Sequence, residues 1–302
     1  MKGNVMSKEI RVALIGLDTS HTVEFARRMQ APDCPADQKV EGLRAVSCLR
    51  FSTPFQNTEG LNARQAMLES WGIKVTLDFD EAVADCDAIM IEINDAAYHL
   101  EYFTRCASLG KSIFLDKPLA DTIENGKKIY DLTKSKNLKV FSVSSLRFVP
   151  QLEQACREIP SPQFATIYGP LGGAPAGSSI VWYGVHAFEM LQRAMGRGAQ
   201  SVLVKNDTAG VAAIVTYPDN RRGIVELNHG AWIYGGTLRT TDKAAPYVVD
   251  MSRAYSDLLI KIEAFFRTGV SPVDMDETLE VMAMLDATQK SSDSGKEEKI
   301  NI

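Results

Sequence analysis

Gly110-Lys111-Ser112-Ile113-Phe114-Leu115-Asp116-Lys117-Pro118-Leu119 is the stretch whose reading decides the fold. Set between a glycine and a proline, the apolar run 112–115 is too short for a helix and reads as a buried strand. A charged pair stands where that strand stops. In an open parallel sheet the ligand crevice lies outside the carboxyl ends of the strands, which puts Asp116 and Lys117 at its edge. Pro118 fixes its own φ, drives Lys117 out of the helical region and tolerates a cis bond, so the lysine rides on stiff backbone. A solvated turn that happens to carry a lysine is the alternative reading of the tripeptide taken alone.

Working outward, residues 97–109 form an amphipathic helix stopped by Gly110, which delivers the chain into this strand. Residues 10–16, Ile-Arg-Val-Ala-Leu-Ile-Gly, are an apolar strand ending in glycine. Asp18, Thr19 and Ser20 then offer helix caps, and Val23, Ala26 and Met29 follow at helical spacing. Strands are expected at 43–49, 74–77, 88–91 and 138–143, with helices at 61–71, 80–84 and 122–136. This alternation predicts a Rossmann-type doubly wound parallel sheet with right-handed crossovers over residues 1–146.

After Ser145 the rhythm changes. A helix near 150–158, a strand at 163–168, a Gly/Pro-rich loop at 169–177 and a helix from about Gly184 lead into strands at 201–204, 211–217, 223–228 and 236–240. Short connections between successive strands predict a mainly antiparallel open sheet. Helices at 253–267 and 276–289 close an α+β domain over residues 147–302, and the polar stretch 291–302 is expected to fray. The fold class is α/β with two domains.

Composition narrows the function classes. The 302 residues are 45% hydrophobic and 24% charged, as in globular proteins, and the net charge of -5 gives no attraction to nucleic acid or to an anionic membrane. No apolar run approaches the roughly 20 residues of a membrane span. Cys34, Cys48, Cys86, Cys106 and Cys156 have no metal-binding spacing and read as reduced thiols, so no metal site is expected. The N-terminal residues lack an apolar signal core, which points to the cytoplasm.

The chain resembles the Gfo/Idh/MocA oxidoreductases. The resemblance rests on the turn at Gly16, on His99 followed by Gly110-Lys111 and by Asp116-Lys117-Pro118 where the family usually has Glu-Lys-Pro, on Gly184-Val185-His186, and on Phe265-Phe266-Arg267-Thr268-Gly269. It implies an N-terminal domain that binds NAD or NADP and a C-terminal domain whose open sheet covers the substrate and often joins subunits into a dimer or tetramer. The reaction implied is hydride transfer at a hydroxyl carbon of a sugar or cyclitol. By position, Lys117 matches the lysine that orients the reacting hydroxyl, His186 the histidine that acts as general acid/base, and Asp116 the acid near the nicotinamide ribose.

Three departures from the family pattern matter. The phosphate loop reads Gly16-Leu17-Asp18-Thr19-Ser20-His21, with Asp and His in place of the second and third glycines. A carboxylate about 4 Å from a phosphate charge costs about 4 kcal/mol at an effective dielectric of 20, roughly a thousandfold in affinity. Relief requires Asp18 to turn away, for example by capping the helix, while Thr19, Ser20 and His21 donate to phosphate. Second, Arg50 follows the second strand where an NAD enzyme has an acid, which suits a 2′-phosphate or an exposed surface arginine equally. Third, Trp182 stands where the family often has an Asp four residues before its histidine. Glu189, on the same helical face, is either a substitute or, the favoured reading, a solvent-facing helix charge, and Trp182 and Tyr183 are either platforms for a sugar or core residues. Asn94 lies near the cofactor ribose by the sheet rule, and Arg147 is a candidate anchor for an acidic substrate group. Tyr98, His99 and Tyr168 read as packing residues. An inactive ligand-binding or sensor protein, its phosphate loop degraded, is the competing function.

Overall fold

The computed structural model describes residues 9–302. The reading of the N-terminal segment as lacking a signal core concerns residues 1–8, outside that range. The first half runs β1 (Ile10–Ile15), α1 (Ser20–Gln30), β2 (Leu43–Leu49), α2 (Thr58–Ser70), β3 (Lys74–Thr76), α3 (Phe79–Val83), β4 (Ala88–Ile91), α4 (His99–Ala107), β5 (Ser112–Leu115), α5 (Ile123–Ser135) and β6 (Val140–Ser142). Its six strands are all parallel in the order β3-β2-β1-β4-β5-β6. Strand order reverses between β1 and β4, so the ligand crevice of such a sheet opens beyond their carboxyl ends.

These strands are apolar on both faces because each face carries a core. Ala13, Ile15, Ile89, Ile91, Ile113 and Leu115 enter one cluster; Val12, Leu14, Met90 and Phe114 enter the other.

The second half continues with α6 (Pro150–Glu158), β7 (Phe164–Pro170), α7 (Val185–Met195), β8 (Ser201–Asp207), β9 (Gly210–Thr216), β10 (Arg222–Asn228), β11 (Gly235–Arg239), β12 (Ala244–Val248), α8 (Ala254–Thr268), α9 (Met275–Ser294) and β13 (Glu298–Lys299). The sheet order is β12-β11-β7-β10-β9-β8-β13, antiparallel throughout except for the pair β7 and β10. One turn of π-helix, Ile180–Gly184, leads into α7. In this sheet the strands alternate buried and outward residues, with Leu203, Ile214 and Val248 on the outside.

Two expectations need correction. The tail does not fray: Ser291 is buried, its hydroxyl accepts from the Val204 amide at 2.9 Å, and β13 pairs with β8. β12 was not expected, because Pro246 interrupts its pattern. As an edge strand it tolerates a residue that cannot donate on its open side.

Candidate active site

β5 sets down Asp116 and Lys117 at its carboxyl end, and the Lys117–Pro118 bond is cis. Lys117 is buried. Burial lowers its pKa from the usual lysine value, while the carboxylates of Asp116, Glu92 and Asp18 oppose that shift.

From the second sheet's side, α7 brings in His186, also buried, with Nδ1 2.7 Å from the Ser144 hydroxyl. Tyr183 and Tyr234 stand edge-on to its ring. Burial holds its pKa well below 6.5, and the next cause is the positive charge of Lys117. The lysine and the histidine therefore share one interior.

The phosphate loop is rebuilt around Asp18. Its carboxylate accepts from the backbone amides of Asn94 at 2.8 Å and Asp95 at 3.2 Å, and from the Thr53 hydroxyl at 2.7 Å. These bonds tie the turn after β1 to the loops after β2 and β4. Asp18 caps nothing. Thr19 is the N-cap of α1, accepting from the His21 amide at 3.2 Å, and Ser20 is exposed at the helix start. The Leu17 side chain is buried and its carbonyl accepts from Arg64. Gly16 has φ +109°, and a Cβ there would lie 2.3 Å from the Glu92 carbonyl oxygen.

His21 bonds through Nδ1 to Asp116 at 2.6 Å and stacks edge-on against Tyr255 of α8. Asp116, 2% exposed, is engaged with His21, so its carboxylate is not free to serve a ribose as expected, and the Nδ1 of His21 is turned away from a phosphate. Burial pushes the Asp116 carboxyl up, but His21 and Lys117 outweigh it and hold it at about 2.

Beside them sits Glu92, fully buried at the end of β4, which sequence reading passed over. Burial, and then the adjacent Asp116 carboxylate, push its pKa well above the usual range. The signal in the sequence was an acid ending the apolar run Ala88-Ile89-Met90-Ile91.

Arg50 hydrogen-bonds Gln65 and Asn62 on α2 and lines a cleft of about 820 Å³ with Phe51, Ser52, Thr76, Leu77 and Asp78, outside the ends of β2 and β3. Asn94 accepts from the Trp182 indole at 2.8 Å, and Phe55 packs on the same tryptophan. A second cleft of about 370 Å³ is lined by Asn94, Pro118 and Trp182.

The roles expected of Arg147 and Glu189 do not hold. Arg147 is buried against Glu189 at 3.1 Å and also bonds Glu277, leaving no charge for substrate. Glu189 faces this arginine and accepts from the Ser144 amide, so it does not orient His186 through a direct bond. Burial raises it to about 7 against the pull of Arg147. Ser144, unnoticed in the sequence, is the partner of the histidine instead. His99 is buried with Nε2 2.8 Å from the Ile93 carbonyl, a packing role as expected.

Residues 55–144 match the model of the Gfo/Idh/MocA oxidoreductase family, NAD-binding Rossmann fold. That match covers 90 of the 302 residues, within the parallel-sheet half of the chain. Among curated relatives it is 28% identical over 139 residues to the uncharacterized oxidoreductase YhhX of Escherichia coli, covering 41% of this chain and 40% of that protein. A second, the uncharacterized oxidoreductase C26H5.09c of Schizosaccharomyces pombe, is 31% identical over 77 residues, 25% of this chain and 21% of that one. The chain thus spans less than half the length of these relatives. Solved structures share the fold over nearly the whole chain. Myo-inositol 2-dehydrogenase from Lactobacillus plantarum superposes with TM-score 0.80 at 15% identity, over 97% of this chain and 100% of that one. Scyllo-inositol dehydrogenase from Lactobacillus casei, with bound NAD(H) and scyllo-inositol, gives 0.79 at 14%, over 97% and 99%.

Proposed function

We propose that this chain is an NAD(P)-dependent oxidoreductase moving a hydride between a nicotinamide and a hydroxyl carbon of a sugar or cyclitol-like substrate. The observation that carries the reading is the pair Lys117, after β5, and His186, on α7, both buried and close enough for the lysine's charge to act on the histidine, at the carboxyl edge of a parallel sheet. The residues fit a dinucleotide. Asp18 is turned onto three donors, which lowers its repulsion of the phosphates, and the exposed start of α1 remains for them. The cleft beside Arg50 accommodates the adenosine end, with Arg50 placed to receive a 2′-phosphate.

When bound, the nicotinamide supplies the hydride acceptor. Lys117, its pKa lowered, orients the substrate hydroxyl. His186 is neutral; with Nδ1–H donating to Ser144 Oγ, Nε2 carries the lone pair that takes the hydroxyl proton. Trp182 and Tyr183 are the proposed walls for the substrate's apolar face. Free cysteines support work in the cytoplasm, and no helix among the described residues is long and apolar enough to cross a membrane. Exposed Leu203, Ile214 and Val248 among the outward residues of the second sheet support a homo-oligomer.

Fluorescence titration with NADH and NADPH is the test, followed by turnover on a panel of inositols and sugars. Micromolar binding of either cofactor, and loss of turnover in Lys117→Ala with the fold intact, are expected. Silence in both titrations refutes the reading and leaves a sensor; unchanged turnover in the variant refutes the role of Lys117.

A further inference from the structure

We propose that His21, Glu92 and Asp116 form a three-ligand site for a divalent first-row transition metal, with Zn²⁺ the first to test. The three residues come from α1 and from the ends of β4 and β5, and their ligating atoms lie within 4.8 Å of one another. Zinc holds imidazole nitrogen and carboxylate oxygen at about 2.0–2.2 Å, which puts ligand atoms roughly 3.4 Å apart in a tetrahedral site. Opening the His21–Asp116 contact from 2.6 Å and drawing in Glu92 requires shifts of the order of 1 Å or less.

The observation pointing to an occupant is Glu92. It has no exposed surface, and neither carboxyl oxygen has a hydrogen-bond donor among the described residues. A buried carboxylate left bare is costly, and either a proton, toward which burial already drives Glu92, or a cation must answer it. Lys117 lies close enough to bear on its charge but donates to neither oxygen. A proton shared with the adjacent Asp116 carboxylate satisfies one oxygen and leaves the other bare. A dication satisfies Glu92 and takes Asp116 and the His21 nitrogen in the same step.

The donor set selects the metal class. An imidazole with two carboxylates suits zinc, cobalt, iron or manganese, whereas calcium and magnesium take oxygen alone. Three protein ligands leave a fourth position for water or a ligand oxygen, the arrangement of catalytic zinc. The His21 side chain is 11% exposed, which gives the ion a way in. The sequence carried no warning, since the spacing 21, 92 and 116 resembles no metal motif.

The test uses the full chain stripped with a chelator, titrated at neutral pH with Zn²⁺ by calorimetry and with Co²⁺ by visible absorption. One equivalent is expected, with cobalt d–d bands. Outer-shell partners alone are worth 10–100-fold in metal affinity, so removing a ligand with Glu92→Gln or His21→Ala is expected to weaken binding at least about tenfold. Circular dichroism verifies that the variants fold. Should Glu92→Gln not fold, His21→Ala carries the same comparison. Absence of binding overturns the proposal, as does affinity unchanged in the folded variants. A protonated-carboxyl infrared band that disappears in Glu92→Gln but persists in the wild type under excess Zn²⁺ overturns it in favour of the shared proton. Because the probe is metal alone, the result is independent of whether NADH or NADPH binds.

Discussion

At His186, burial and the charge of Lys117 act in the same direction, and the consequence is a pH dependence with a definite sign. The unfolded chain takes up a proton on this residue below about 6.5, while the folded chain resists it. Stability is therefore free of this penalty above that value and falls as pH drops through it, by about 1.4 kcal/mol per unit for one group. Glu189 works the other way. Raised to about 7, it binds a proton in the folded state first and adds stability as pH falls from about 7 toward its unfolded value. Denaturant unfolding of the wild type and His186→Gln, at neutral pH and about one unit below 6.5, separates the two. The wild type is expected to lose about 1 kcal/mol more than the variant over that step; equal losses would show His186 free to protonate in the fold. Lys117 and His186 were legible at this scale because each sits beside a backbone marker, Pro118 and Gly184. Glu92, Ser144 and the Arg147–Glu189–Glu277 cluster were not. Their partners lie far along the chain, and nothing local records that α9 returns to the end of β6.

The turn from β1 into α1 is where element geometry controls the site. Gly16 combines φ +109° with a backbone neighbour 2.3 Å from any added Cβ, and that neighbour is the carbonyl of Glu92. Gly72, after α2, also has positive φ (+78°) but meets nothing within 4 Å. Alanine at Gly72 thus bears only the left-handed penalty of roughly 1–2 kcal/mol. Alanine at Gly16 bears a comparable strain and must also push two strand ends apart. Urea unfolding is expected to show the larger loss for Gly16→Ala. Equal losses would mean that β1 and β4 separate without resistance. Elements with one clear signal were readable in the same way: apolar runs ending in glycine, caps such as Thr19, and the turn at Pro218-Asp219-Asn220. β13 was not, since two residues cannot display a period and its pairing depends on the buried Ser291.

Across the whole molecule, the chain order suggests two domains, yet the cores ignore that division. One apolar cluster runs from Ile89 and Ile113 through Ile180 and Phe188 to Val225 and Leu238, joining the two sheets. The other, beneath β1 and β5, is closed by Leu258, Leu259, Ile262 and Phe265 of α8, contributed by the far end of the chain. Burying four such side chains contributes on the order of 6–12 kcal/mol. That equals most of the roughly 5–15 kcal/mol by which a domain is stable. A fragment of residues 1–146 holds the complete parallel sheet but leaves Val12, Leu14 and Phe114 without this cover, and it is expected to lose its fixed tertiary structure, with near-ultraviolet dichroism absent and dye binding raised. The full chain, its cores shared, is expected to melt in one calorimetric transition with van't Hoff and calorimetric enthalpies equal. Two resolved transitions, or a natively packed fragment, would show that α8 is an appendage and that each sheet stands on its own core.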